Sequence, residues 1–127
     1  MLKVKKEGII LESTRLEFES KAVLNPTCIK KGNYVHMFYR AVRKNNVSCI
    51  GYCKLKGPLE VVQRCKHPIL CPEFNYDRDG LEDPRITYIN KKYYLFYTVY
   101  DGKNARVAYA VSEDLKNFKK QSVITPD

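Results

Sequence analysis

Apolar and polar residues alternate along most of this chain with a period of two, the spacing of strands that bury one face. The stretches VHMFYR, SCIGYCKL, YYLFY and ARVAYAVS are rich in β-branched and aromatic residues. Turn signals separate them. Lys31-Gly32-Asn33 fits a tight hairpin, and Asn45-Asn46 and Asp101-Gly102 mark the next turns. Further strands are expected near LEVVQRC and KNFKKQSV. Helical periodicity is weak throughout. Only Glu113 to Asn117 could make a single turn, and SEDLKNF reads better as a connecting turn. The expected class is all-β.

The pattern occurs twice. NPTCIKKGNYVHMFYRAV (Asn25 to Val42) aligns with DPRITYINKKYYLFYTVY (Asp83 to Tyr100), so that Pro26 meets Pro84, Phe38 meets Phe96 and Tyr39 meets Tyr97. Tyr52 meets Tyr109, and ILCP echoes VITP near the end. Four strands per repeat of this length predict a β-propeller blade, with an ordinary β-sandwich as the other architecture. The expected organisation is one partial propeller domain. Blade one covers about residues 20–72, blade two about 80–127, and residues 1–19 form an N-terminal strand segment. Two blades do not close a ring, so the chain is expected to be a truncated propeller. Its exposed blade edges are expected to favour self-association.

Composition narrows the class. Hydrophobic residues are 44% and charged residues 29% of 127 positions, a balance that folds rather than stays disordered. No apolar run approaches the length that spans a bilayer as a helix, so no membrane partner is expected. The N-terminus passes from basic to strand-like with no signal-peptide core. Five cysteines without a CxxC pair argue against a disulfide framework or a zinc site, and a cytoplasmic location is the simplest expectation. Cys49 and Cys53 share a strand face and read as buried thiols rather than metal ligands. The formal charge of +9 fits anionic partners, but the lysines fall singly or in pairs at strand ends and turns. The tyrosines recur at equivalent positions of two blades, which predicts packing residues rather than an RNA-stacking face; no nucleic-acid partner is expected.

Candidate chemistry gathers around GLEDPRIT, residues 80–87. The repeat sets Asn25 opposite Asp83, each before a proline at the start of a blade's first strand. Proline cannot donate to a ladder and biases its predecessor toward extended geometry, so each X-Pro step should free a side chain at one end of the central channel. Symmetry then aims Asn25 and Asp83 at one pocket. Arg40 closes the second strand of blade one and offers a planar donor fork for hydroxyls or a carboxylate. Arg85, two residues beyond Asp83, should share its face and either hold it charged or touch ligand. Glu82 should point to the opposite face and brace the loop. Tyr76 and Asp77 could border the same site, although a plain surface loop explains YDRDG as well; that stretch lacks the ligand set of a calcium loop.

GLEDPRIT, LNPTCI (Leu24 to Ile29) and MFYRA (Met37 to Ala41) together resemble glycoside hydrolase family 130, the β-1,4-mannoside and mannosylglucose phosphorylases and their hydrolytic relatives. SEDLKNF is similar to a turn common in five-bladed sugar-active propellers. The resemblance covers nearly all of residues 8–127. It implies phosphate-dependent, inverting cleavage of β-mannosides to α-mannose 1-phosphate, and a mannose-containing oligosaccharide as partner. It makes Asp83 the proton donor, acting through a hydroxyl of the bound mannose, with Asn25 and Arg40 on the mannosyl unit. No cofactor is implied; inorganic phosphate is a co-substrate. An anionic nucleophile spares the enzyme a base carboxylate, which inverting hydrolysis would need. Cations must hold the phosphate instead, and in the family these come from later blades. The expectation is therefore a phosphorylase in truncated, inactive form. The alternative is a non-catalytic carbohydrate-binding or vestigial propeller fragment.

Overall fold

The computed structural model describes residues 1–126. Eight strands form two four-stranded antiparallel sheets in simple meander order. The first sheet holds β1 (Ala22–Lys31), β2 (Tyr34–Val42), β3 (Ser48–Lys56) and β4 (Glu60–Arg64). The second holds β5 (Gly80–Ile89), β6 (Lys92–Tyr100), β7 (Ala105–Ser112) and β8 (Lys119–Val123). The turns fall at the expected places. Gly32 supplies a φ of +60° at the first hairpin, where a Cβ would be strained.

The sheets stack face to face as neighbouring propeller blades. Their first strands run side by side, and the Ile86 amide donates to Thr27 Oγ1 at 3.2 Å across the seam. One face of the first sheet carries Phe38, Ile50 and Tyr52. It packs on the face of the second that carries Leu81, Leu95, Tyr97 and Val99. Aliphatic and aromatic side chains at alternate positions make this layer the main core, and their burial supplies most of the cohesion.

The other face of the first sheet is covered from within the chain. Met37, Tyr39, Ala41, Cys53 and Leu55 lie under Leu11, Leu16 and Phe18. Residues 1–19 form no strand, contrary to expectation; their regular element is a 3₁₀ turn at Glu17–Glu19. Burial of Glu19 accounts for the turn. Its carboxylate accepts from Thr14 Oγ1 at 2.7 Å and Tyr39 Oη at 2.8 Å, and pairs with Arg64 at 3.0 Å. A tight turn aims one side chain inward where a strand would alternate.

The turn is also part of the repeat. A second 3₁₀ turn, Asn75–Asp77, precedes the second sheet and buries Asp77 completely. Asp77 accepts from the amides of Glu73 and Phe74 and pairs with Lys120 of β8 at 2.6 Å. In both blades, then, a buried carboxylate before the first strand is tied to a cation on the last. Asp77 therefore belongs to the structural frame and does not border an open site. Tyr76 is partly buried against the main core.

Candidate active site

The site is built by a matched irregularity in β1 and β5. Register runs evenly until Leu24 and Glu82, then resumes at Thr27 and Arg85 with one residue extra. Each break is a β-bulge over an X-Pro step, and bulges re-aim side chains where they occur. Asn25 has a φ of +48° and Asp83 of +49°. Extended geometry was expected before proline, and here the bulge overrides that bias. Asparagine and aspartate are the non-glycine residues that visit the left-handed region most readily.

The bulges bring the two residues together. Asn25 Nδ2 donates to Asp83 Oδ1 at 2.7 Å. Arg40, from the end of β2, joins them. Its Nη2 donates to Glu82 Oε1 at 2.8 Å, its Nε donates to Ser48 Oγ at 2.9 Å, and its Nη1 stands 4.0 Å from Asp83 Oδ1. Asp83 is 43% exposed at its side chain, so solvent and ligands can reach it, while Arg40 is more enclosed at 22%. Gly80, at φ +139°, lets β5 lie against the Ser48 backbone; a Cβ there would come within 3.1 Å of the Ser48 nitrogen.

Of the four sequence-predicted site residues, Asn25, Arg40 and Asp83 form one cluster at the seam between blades. Arg85 lies apart from their contacts. It is exposed, and its Nη1 donates to the Pro84 carbonyl at 2.8 Å. The expected shared face with Asp83 is lost because the bulge interrupts simple alternation. Glu82, still in register with Thr98, bonds Arg40, where sequence reasoning had it bracing a loop on the opposite face. Ser48 and Glu82 are the members that sequence reasoning missed. The doubled Asn-Pro and Asp-Pro steps were the available signal for a bulge.

Beside the cluster opens a cleft of about 440 Å³ lined by Arg40, Asn45, Asn46, Asp79, Glu82 and Tyr100, among others. Its walls are the β2–β3 turn, the β6–β7 turn and the entry to β5. The arrangement offers an exposed carboxyl group, an amide, a guanidinium and a polar cleft. These are groups suited to hydroxyl-rich ligands and to proton transfer.

The chain is similar to several known proteins. The β-1,2-mannobiose phosphorylase of Thermoanaerobacter sp. (strain X514) is 36% identical over 126 residues, which are 85% of this chain and 41% of that protein. The 1,2-β-oligomannan phosphorylase of the same organism is 27% identical over 98% of this chain and 46% of its own length. A solved putative glycoside hydrolase from Bacteroides ovatus superposes with a TM-score of 0.75 at 30% identity, over 87% of this chain and 37% of that one. The chain thus spans under half the length of the curated relatives it matches. A family described as β-1,4-mannooligosaccharide phosphorylase matches residues 5–126, which contain every residue of the cluster. The chain belongs to this family, glycoside hydrolase family 130.

Proposed function

We propose that this chain carries the mannose-holding, proton-donating half of a β-mannoside phosphorylase site. Asp83 is the general acid, and Asn25 and Arg40 hold the mannosyl ring. The observation that supports this is the Asn25–Asp83 contact at 2.7 Å, set beside a guanidinium and an open cleft. An acid that protonates a leaving oxygen must be both accessible and oriented. Asp83 is accessible, and Asn25 fixes one of its oxygens. Arg85, exposed beyond the bulge, would reach a ligand only from the rim.

The nucleophile is inorganic phosphate in this reading, and no cofactor takes part. Phosphate needs a cluster of cations beside the anomeric carbon. Within the cluster the one arginine is already engaged by Glu82 and Ser48. In this reading the phosphate-holding groups come from outside these two blades, and the chain alone is inactive. The two curated relatives act on β-1,2-linked mannosides by their names, whereas the family description reads β-1,4. That both curated relatives carry β-1,2 names supports a β-1,2-linked substrate.

The test compares β-1,2- and β-1,4-mannobiose, each with phosphate. The chain alone should bind β-1,2-mannobiose the more tightly and release no α-mannose 1-phosphate. Phosphorolysis by the isolated chain would refute the half-site, and failure to bind either disaccharide would refute the sugar assignment.

A further inference from the structure

Hydrogen bonds cross the seam between the two sheets at Asn25–Asp83, Arg40–Glu82 and Thr27–Ile86. The first two engage side chains of the site itself. The third engages none of them. Thr27 lies two residues past Asn25 in β1, and Ile86 three past Asp83 in β5. The Ile86 amide donates to Thr27 Oγ1 at 3.2 Å.

No ladder joins β1 to β5. Each is the first strand of its sheet and pairs only with its own neighbour, so alternate amides along β5 face away from β6. Ile29 and Ile86 pack against the main core from the two strands. Apolar packing is non-directional, however, and leaves the strands free to slide. A hydrogen bond has a preferred length and angle, and so sets their separation and height.

The Asn25–Asp83 contact has little tolerance for sliding. Both residues sit in the left-handed region, at φ +48° and +49°, a conformation that persists only where the surroundings over-determine it. Their 2.7 Å contact requires the two bulges to lie level with each other. Thr27 is the residue at which β1 resumes pairing, opposite Phe38, and its branched side chain is stiff at χ1. It carries a fixed acceptor from directly behind one bulge to the strand behind the other. Its counterpart in the second blade is Arg85, which is exposed and donates to the Pro84 carbonyl. The tie therefore belongs to the seam and not to the repeat.

We propose that Thr27 is a positioning residue for the site: by accepting the Ile86 amide it fixes β1 against β5 at the separation where Asn25 meets Asp83. The proposal rests on the reading of Asn25 as a sugar-holding group and Asp83 as the acid. The coupling itself can be measured without sugar.

Thr27→Val keeps the branched shape and removes the acceptor, whereas Thr27→Ser keeps the hydroxyl and removes the methyl group. The NMR readout is the pair of Asn25 Nδ2 protons in the full chain. In the unaltered chain their separation should exceed that in Asp83→Ala, which lacks the acceptor. Thr27→Val should bring the two signals toward their Asp83→Ala positions, and Thr27→Ser should leave them near those of the unaltered chain. Affinity for β-1,2-mannobiose should fall roughly tenfold in Thr27→Val and by no more than about twofold in Thr27→Ser. Should Thr27→Val not fold, Thr27→Ala is read in the same way. A merely structural tie predicts a lower urea midpoint with the Asn25 protons and the affinity unmoved. That result, or loss of the Asn25 signature in Thr27→Ser as well, would overturn the proposal. Absence of mannobiose binding in the unaltered chain would count against the sugar reading, and the Asn25 signals would still decide this inference.

Discussion

Asn25 and Asp83 stand 58 residues apart, yet their side chains meet at 2.7 Å, each from a backbone with φ close to +50°. Two copies of one bulge, facing each other across a blade seam, produce a pair that neither copy could make alone.

Backbone strain at Asp83 separates stability from function. A β-branched side chain is poorly tolerated at φ +49°, and glycine is at ease there. Asp83→Val should be less stable than Asp83→Gly by about 1–2 kcal/mol. Both should lack proton-donor function. Equal urea midpoints for the two variants would show that the left-handed conformation is not maintained in solution.

Tyr39 and Tyr97 occupy equivalent positions of the two blades but differ in their hydroxyl partners. Tyr39 Oη donates to the buried Glu19, whereas the buried Tyr97 hydroxyl meets no hydrogen-bond partner among the described residues. Tyr39→Phe should cost about 1–2 kcal/mol, and Tyr97→Phe should be neutral or stabilising. Glu19→Ala, which strands Arg64 and Tyr39 together, should cost about 3 kcal/mol or more. Thermal melts of the three variants check the order.

Much of this fold was legible in the chain, because period-two alternation and glycine or asparagine turns are local signals. Phe38 and Phe96, or Tyr52 and Tyr109, announced a repeat that the sheets display. The meeting of Asn25 with Asp83 was legible for the same reason, since the X-Pro steps mark where pairing must fail. What escaped was any consequence of the bulge itself. One inserted residue parts Arg85 from Asp83, and Glu82, just before it, meets Arg40 of the other sheet, a contact that alternation along one strand does not foretell. The Glu19 and Asp77 turns escaped as well. A buried carboxylate is recognised by its distant cation, here Arg64 and Lys120, and not by its neighbours in sequence.

Two turn carboxylates should make stability sensitive to acid. Backbone amides of Asn104 and Lys103 hold the Asp101 carboxyl down to about 2, and those of Asn117 and Lys116 depress Asp114 further. A depressed folded-state value contributes stability that is present above the ordinary carboxylate range and lost as pH falls through the folded value. Stability should therefore decline between about pH 4 and pH 2, and Asp114→Asn should flatten that decline. Urea midpoints across this range that hold constant or rise would contradict the assignment.

The outer face of the second sheet predicts association. Phe96 and Tyr109 stack there half-buried, whereas their counterparts Phe38 and Tyr52 are sealed between the blades. The complementary face of the first sheet is already covered by Leu11, Leu16 and Phe18, so a head-to-tail contact is blocked. A second copy can meet this face only with its own, about a twofold axis. Light scattering should show a concentration-dependent dimer that Phe96→Asp abolishes. A monomer at high concentration would exclude this contact.

The central claim is that a mannosyl unit sits where the two bulges meet. The most direct measurement is the NMR spectrum of the chain as β-1,2-mannobiose is added, with the Asn25 amide, the Arg40 guanidinium and the Asp83 carboxyl resolved. All three signals should shift together, Asp83→Asn should still bind, and the buried Asp77–Lys120 pair should stay unmoved. Shifts confined to other surfaces, or none at saturating sugar, would contradict the account.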